Sequence, residues 1–396
     1  MRFPEFTGEW EKYKLGEIAE IKTGPFGSVL HADDYVEEGT PIITTEHFKS
    51  GNLPINKCRL PQVSTDDYIR LKSYILRKND IVFSRVGSVD INAHVEEEQE
   101  GWLFSGRVLR VRLKDNWNTH FVHWALSTSA NRNNISQRAV GQTMPSINTE
   151  ILGNTEMYLS KSKQEQCKIA DLLNNIDQRI STQNKIIEDL QSLKKAITNS
   201  IIDKLVNSSE LFPFADTYTI AGEGGTPDTT IQEYYKGGVI PFIKIDDLNK
   251  KYLTENKDYI TELGLKKSSA WLVPTNSIIY SNGATIGALS INTYQVATKQ
   301  GILGIVPNDK ASTEYLYYLM SSSYFTRQVN RIITHGTMAT AYLKDISKIK
   351  VPIPTLQEQE RITKLLKVIS KKEEIEQFFL SYLQRQKSYF LQAMFI

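Results

Sequence analysis

Side chains that could do chemistry are thinly spread in this sequence. His120-x-x-His123 is its close histidine pair. It falls on a predicted helix with no third ligand beside it, so no metal is expected. Asp33-Asp34, Asp66-Asp67 and Asp246-Asp247 are acidic pairs without metal-site companions and read as solvated surface. Cys58 and Cys167 stand far apart without metal spacing, as reduced thiols of a cytoplasmic protein do. There is no glycine-rich dinucleotide loop after a strand and no Gly-x-x-x-x-Gly-Lys-Ser/Thr phosphate loop. No catalytic residue and no bound cofactor is expected of this chain.

With little chemistry to position, the elements themselves carry the information, and they repeat. Gln164-Glu165-Gln166 introduces a long helical stretch, and 193 positions later Gln357-Glu358-Gln359 introduces a second. In the first, steps of four and three pick out Ile169, Leu173, Ile176, Ile180, Gln183, Ile187, Leu190, Lys194, Ile197 and Ile201. The same frame in the second gives Ile362, Leu366, Ile369, Glu373, Glu376, Leu380, Leu383, Lys387, Phe390 and Met394. Both are heptad seams rather than general amphipathic faces. A helix of about 40 residues is about 60 Å long. Such a seam needs a partner, and the matching seam is the other copy. Each helix follows its own module, so antiparallel pairing about a pseudo-two-fold axis is expected; the alternative packs each helix only on its own module. Glu373 and Glu376 fall at core slots. Buried unpaired carboxylates are costly, so they face Lys or Arg, open the seam to a partner, or turn to solvent.

The segments before the helices repeat more weakly. Thr40-Pro41-Ile42-Ile43 matches Ile240-Pro241-Phe242-Ile243, and Lys78 to Ser84 matches Pro274 to Ser281. Each is a short strand, the second kind ending in a serine before a glycine-bearing loop. Thr119 to Arg132 and Thr313 to Arg331 read as helices. Each module therefore mixes strands with helix, an α+β class. The expected division is module one at 1–160, helix at 161–207, module two at 208–355 and helix at 356–396. Arg110, Arg112 and Lys114 share one face of a strand beside Arg107, while Gln300 to Val306 has no such face. That difference predicts two related but unlike ligands.

A length of 396 residues predicts two domains. Hydrophobic residues at 40% and charged residues at 23% are globular values. No run of eighteen apolar residues predicts a membrane span, and Met1 to Glu5 does not read as a signal peptide. Cytoplasmic residence is expected. The net charge of +2 gives no long-range attraction for nucleic acid, so any basic surface must be local.

Taken in order, these motifs resemble the specificity subunit of a type I restriction-modification enzyme. The carriers are Trp10 to Ile18, Gly141-Gln142-Thr143-Met144-Pro145-Ser146-Ile147, and the Gln-Glu-Gln helix starts with Ile169 and Ile362. Val351-Pro352-Ile353-Pro354 precedes the second helix as the family pattern has it, whereas Met157-Tyr158-Leu159-Ser160 lacks the prolines. The resemblance covers essentially the whole chain. It implies two target-recognition domains, each reading half of a bipartite site on double-stranded DNA, with the paired helices setting the unread spacer. It implies docking of two methyltransferase subunits, which would methylate adenine N6 with S-adenosylmethionine, and two restriction subunits working with ATP and Mg. The chain itself would be non-catalytic, and it lacks the Asn/Asp-Pro-Pro-Tyr tetrapeptide such a methyltransferase needs. The helix seam residues Ile169, Leu173, Ile176, Ile180, Ile187, Leu190, Ile362, Leu366, Ile369, Leu380, Leu383 and Phe390 would serve pairing and docking.

On that resemblance, loops beside the repeated strands are the candidate DNA contacts, with Arg and Lys suited to guanine and Asn and Gln to adenine. In the first module they are Lys22, Thr23, Ser84, Arg85, Arg107, Arg138, Gln142 and Thr143. In the second they are Thr226, Lys244, Asn282, Lys299, Gln300 and Thr337. An adaptor joining two protein or glycan partners is the rival reading, and a methylation-only specificity subunit is a third.

Overall fold

The computed structural model describes residues 2–25, 30–334 and 339–395. The chain forms two compact units: residues 1–184 with 378–396, and residues 185–377. Each unit thus takes one module together with half of each long helix.

In the first unit a four-stranded antiparallel sheet runs in the order Ala19–Thr23, Val108–Leu113, Ile81–Ser84, Asn92–His94. A second sheet orders Tyr35–Val36, Gln62–Val63, Thr40–Ile43 and Leu103–Phe104, the last pair parallel. Helix Thr119–Leu126 covers the first sheet, burying Phe121, Val122, Trp124, Ala125 and Leu126 against Ile81, Phe83, Leu109 and Val111.

The second unit repeats this plan in the same register. Its five-stranded sheet orders Tyr218–Glu223, Ile302–Pro307, Ile278–Ser281, Leu289–Asn292 and Tyr252–Leu253. Ile278 stands opposite Ile305 as Ile81 stands opposite Val111. Asn79 and Asn276 turn into these matching strands at φ 72° and 60°, a left-handed conformation that asparagine tolerates better than most residues. The equivalent helix, Thr313–Ser321, buries Tyr315, Leu316 and Leu319. The helices expected at Thr119 to Arg132 and Thr313 to Arg331 are each broken. Thr128 caps a new helix at Ser129–Gln137 and Ser322 caps one at Ser323–Ile332, because a hydroxyl accepting from the backbone N–H three residues on starts a helix rather than continuing one.

The long helices run Lys163–Ser208 and Leu356–Ala393. Within the first unit they are antiparallel: Ile169 and Leu173 share a core with Met394, and further along Asp177 meets Lys387. Within the second unit the order is again opposed, with Ile202 near Ile362 and Lys194 bonded to Glu373. Ile169, Leu173, Ile176, Ile187, Leu366 and Leu383 are buried; Ile180, Leu190, Ile362, Ile369, Leu380 and Phe390 are half-buried.

The seam carboxylates have partners inside the protein. Glu373 accepts from Lys194 Nζ at 2.5 Å and from Gln191 Nε2 at 2.9 Å, and Glu376 pairs with Lys372 on its own helix. The lysine repeated in both seams has the same use twice, since Lys387 crosses to Asp177 while lying over the Trp124 ring.

The second glutamine of each Gln-Glu-Gln motif is a buried clamp. Gln166 Oε1 accepts from the Asn118 N–H at 2.8 Å, and its Nε2 donates to Ser160 O. Gln359 Oε1 accepts from the Ser312 N–H at 2.8 Å, and its Nε2 donates to Lys310 O and Pro354 O. Asn118 and Ser312 are the caps of the two covering helices. One amide therefore ties each long helix to the helix start of its module.

Candidate nucleic-acid interface

In the first unit, antiparallel pairing brings four strand ends together: Thr23, Ser84, Asn92 and Val108 lie at one end of the sheet. The candidate loops leave from there. The Arg85 N–H donates to Arg107 O, and the Arg85 side chain donates through Nη1 to Gly106 O at 2.9 Å. The Gly87 N–H donates to Pro145 O and the Ile147 N–H to Arg85 O, which brings 140–146 onto the same end. A Cβ on Gly24 would lie 2.1 Å from Ser105 O, so glycine is required here for the chain to meet itself.

The second unit builds the same cluster. A Cβ on Gly224 would lie 2.0 Å from Thr298 O. The Asn282 N–H donates to Gly301 O and the Ala341 N–H to Asn282 O. The Gln300 N–H donates to Thr226 Oγ1 at 3.4 Å.

The candidates differ in exposure. Arg107, Gln142, Thr143, Lys299 and Gln300 are exposed at these ends. Thr23 and Thr226 are half-buried. Ser84 and Asn282 are buried: Ser84 Oγ donates to Val86 O and Asn282 Nδ2 to Ala341 O, so as they stand they shape loops. Lys22 points elsewhere, donating to Ser73 O with its ammonium over the Tyr74 ring. Exposed Arg138 donates to Asn154 O, and Lys244 pairs with Asp258 at 2.8 Å. Thr337, with His335 and Gly336, lies outside the described residues.

The basic strand face needs correction. Arg110 is 3% exposed and bonds Glu20 at 2.5 Å. Arg112 holds buried Asp80 through two bonds of 2.7 Å. Lys114 donates to Glu17 O. Burial pushes the Arg110 guanidinium below its ordinary value and neighbouring Arg112 adds to this, whereas the bond to Asp80 raises Arg112. The two arginine charges are paired within the protein, while exposed Lys114 bonds a neutral carbonyl. In the second module Gly304 takes the place of Arg110, and Trp271 and Val273 pack there; a Cβ would lie 2.4 Å from Val273. The contrast between modules at this strand is one of packing.

Two sets of exposed apolar side chains were not singled out from sequence, the first within the candidate loop Arg138 to Met144. Val140 and Met144 are 66% and 63% exposed beside Gln142 and Thr143, and Gly141 holds φ +102° between them. Val140, Gly141 and Met144 set among the polar Gln142 and Thr143 were the available signal. The second set is on the C-terminal helix, where Leu365, Val368, Ile375, Phe379, Tyr382 and Tyr389 are all exposed. Their spacing repeats the three-and-four rhythm outside the paired seam.

The chain is 25% identical over 389 residues to a putative type I restriction enzyme MjaX specificity subunit of Methanocaldococcus jannaschii, covering 92% of this chain and 88% of that one. It is 30% identical over 168 residues to the MjaIX specificity subunit of the same organism, there covering 42% of this chain and 38% of that one. The fold is similar to the crystal structure of a type I restriction-modification system S subunit from M. genitalium, with TM-score 0.58, 17% identity and coverage of 100% and 99% of the two chains. A chain from a structural study of complex assembly and conformational transition of the type I R-M system gives TM-score 0.61 at 14% identity, over 98% of this chain and 97% of that one. The family model described as type I restriction modification DNA specificity domain matches twice, at 7–192 and 209–383. The two matches fall on the two module-and-helix repeats, and the chain belongs to the type I restriction modification DNA specificity domain family.

Proposed function

We propose that this chain is the non-catalytic specificity subunit of a type I restriction-modification system, and that each module reads one half of a bipartite DNA site. The observation that carries the reading is the recurrence of one loop cluster at the same end of both sheets with different exposed donors. Arg107, Gln142 and Thr143 stand at one and Lys299 and Gln300 at the other. Arg and Lys fork to guanine and Gln to adenine, so the clusters are suited to unlike half-sites.

The two long helices set the spacer and dock two methyltransferase subunits, which methylate adenine N6 with S-adenosylmethionine. Restriction subunits add ATP- and Mg-dependent cleavage. The outward apolar stripe on the C-terminal helix supports the docking role, since such rows are a common mark of protein contact. A net charge of +2 supports a shared grip on DNA, with partners supplying much of the phosphate contact.

DNA binding by the complex with its methyltransferase, measured across a salt series, tests this. The expected result is steep salt dependence, with Lys299→Ala and Arg107→Ala each weakening binding. Loss of a phosphate contact lowers the salt slope by about 1, and loss of a base contact costs about 1–3 kcal/mol and relaxes specificity at one position. Salt-independent or absent binding with methyltransferase present would reject the proposal in favour of an adaptor.

A further inference from the structure

Away from the loop ends, three histidines meet in the first module. His94 ends strand Asn92–His94, while His120 and His123 lie on the covering helix. His123 is turned away, its Nδ1 2.6 Å from Asn92 Oδ1. His94 and His120 stack with ring centroids 3.7 Å apart and 21° between planes. Glu96 Oε1 lies 2.9 Å from His94 Nδ1 and 3.7 Å from His120 Nε2. The two ligands that His120 needs beside it are thus supplied by the last residue of a strand and the second residue after it.

The hydrogen bonds around His94 say what the cluster can accept. Its Nε2 lies 2.8 Å from Thr119 Oγ1. The Thr119 hydroxyl donates to Asn79 Oδ1 at 3.4 Å. A hydroxyl carries one proton. When that proton goes to His94, Nδ1–H donates to Glu96; when it goes to Asn79, Thr119 accepts from His94 Nε2–H. The other nitrogen, Nδ1, then presents a lone pair to a carboxylate oxygen 2.9 Å away. Two such acceptors need a cation between them, either a proton or a metal ion.

The second module fills the same junction with its own cation. Glu314 follows Thr313 at the helix start as His120 follows Thr119. Lys251 Nζ lies 2.5 Å from Glu314 Oε2 and 2.9 Å from Tyr318 Oη. Burial opposes ionisation of Glu314, but hydrogen bonds from Lys251 and Tyr252 outweigh it and hold the carboxyl below its ordinary range. In the first module, Glu96 has two imidazoles as its ion-pair partners in place of that ammonium.

We propose that His94 Nδ1, Glu96 and His120 Nε2 bind a divalent first-row transition ion, zinc foremost, which ties strand Asn92–His94 to the covering helix. Imidazole and carboxylate are the donor set such ions take. Tetrahedral zinc with bonds of about 2.0–2.1 Å holds its ligand atoms about 3.3 Å apart. The separations of 2.9 and 3.7 Å bracket that value. Stacked rings cannot both aim a lone pair at one ion, so His120 must turn about its side chain. At 27% side-chain exposure it has room to do so, and Glu96 at 47% leaves a path for the ion and for water as the fourth ligand. With the ion bound, Thr119 holds the Nε2–H tautomer of His94, the role that outer hydrogen bonds have at metal histidines.

Zinc titration of the chelator-treated full-length protein by calorimetry tests the proposal, with a thermal melt at each end point. One zinc per chain is expected, with a higher melting temperature. Glu96→Gln and His120→Gln should each weaken binding at least tenfold while keeping the circular dichroism of the zinc-free protein. Thr119→Val should weaken it on the order of 10- to 100-fold. Both ligand changes are at partly exposed side chains, so loss of fold in one leaves the other as the test. No stoichiometric binding at micromolar zinc, or unchanged binding in Glu96→Gln and His120→Gln, would overturn the proposal.

Discussion

A single glutamine in each repeat shows how residue identity and role part company. The sequence displays Gln166 and Gln359 as members of a motif at two helix starts. It does not display that both are buried and bonded to the capping N–H of a helix 48 and 47 residues earlier. A buried amide and an exposed one are the same letter. The basic strand misled for the same reason, because Glu20 and Asp80 lie 90 and 32 residues from the arginines they neutralise. Periodicity places a side chain on a face, but only tertiary contact says what waits there. Gln359→Ala removes the partner of the Ser312 N–H and should destabilise the protein by about 1–3 kcal/mol in a denaturant melt. A stability unchanged within about 0.5 kcal/mol would show that the clamp is dispensable.

The long helices were the most legible elements. Their signal is local and periodic, and it repeats, so the seam positions could be read directly. Their carboxylates were legible only as a set of alternatives. The structure selects internal pairing, with Lys194 on Glu373 and Lys372 on Glu376. The second stripe on the C-terminal helix lies outside the heptad frame of the seam, so the seam's periodicity does not display it. Leu365, Val368, Ile375, Phe379, Tyr382 and Tyr389 have their matches in the central helix at Leu172, Asn175, Thr182, Ile186, Asp189 and Ala196. Half of those are polar, so the apolar row belongs chiefly to one helix. If it seats a methyltransferase, Val368→Asp with Phe379→Asp should abolish co-purification of the two proteins at unchanged melting temperature. Full retention of the complex would remove this row from the docking surface.

For the whole molecule, the sequence carried the order of modules and helices and the α+β class, because the duplication announces them twice. It did not carry the division into compact units, in which residues 378–396 join the first module and 185–208 the second. Sequence boundaries fall where composition changes, whereas compact units form where side chains meet. The loop ends were legible in part. Repeated glycines marked where the chain crosses itself, at Gly24 and Gly224, and exposed Arg107, Lys299 and Gln300 stand beside those crossings. Which side chains remain exposed there is set by the packing of distant strands.

The central claim is that two modules read two unlike half-sites. It is tested most directly by expressing the chain with its methyltransferase and mapping the methylated adenines across a genome. The expected motif is split into two specified parts by a fixed number of unspecified bases, and replacement of residues 1–160 by another first module changes one part alone. A contiguous motif, or a replacement that changes both parts together, would contradict it.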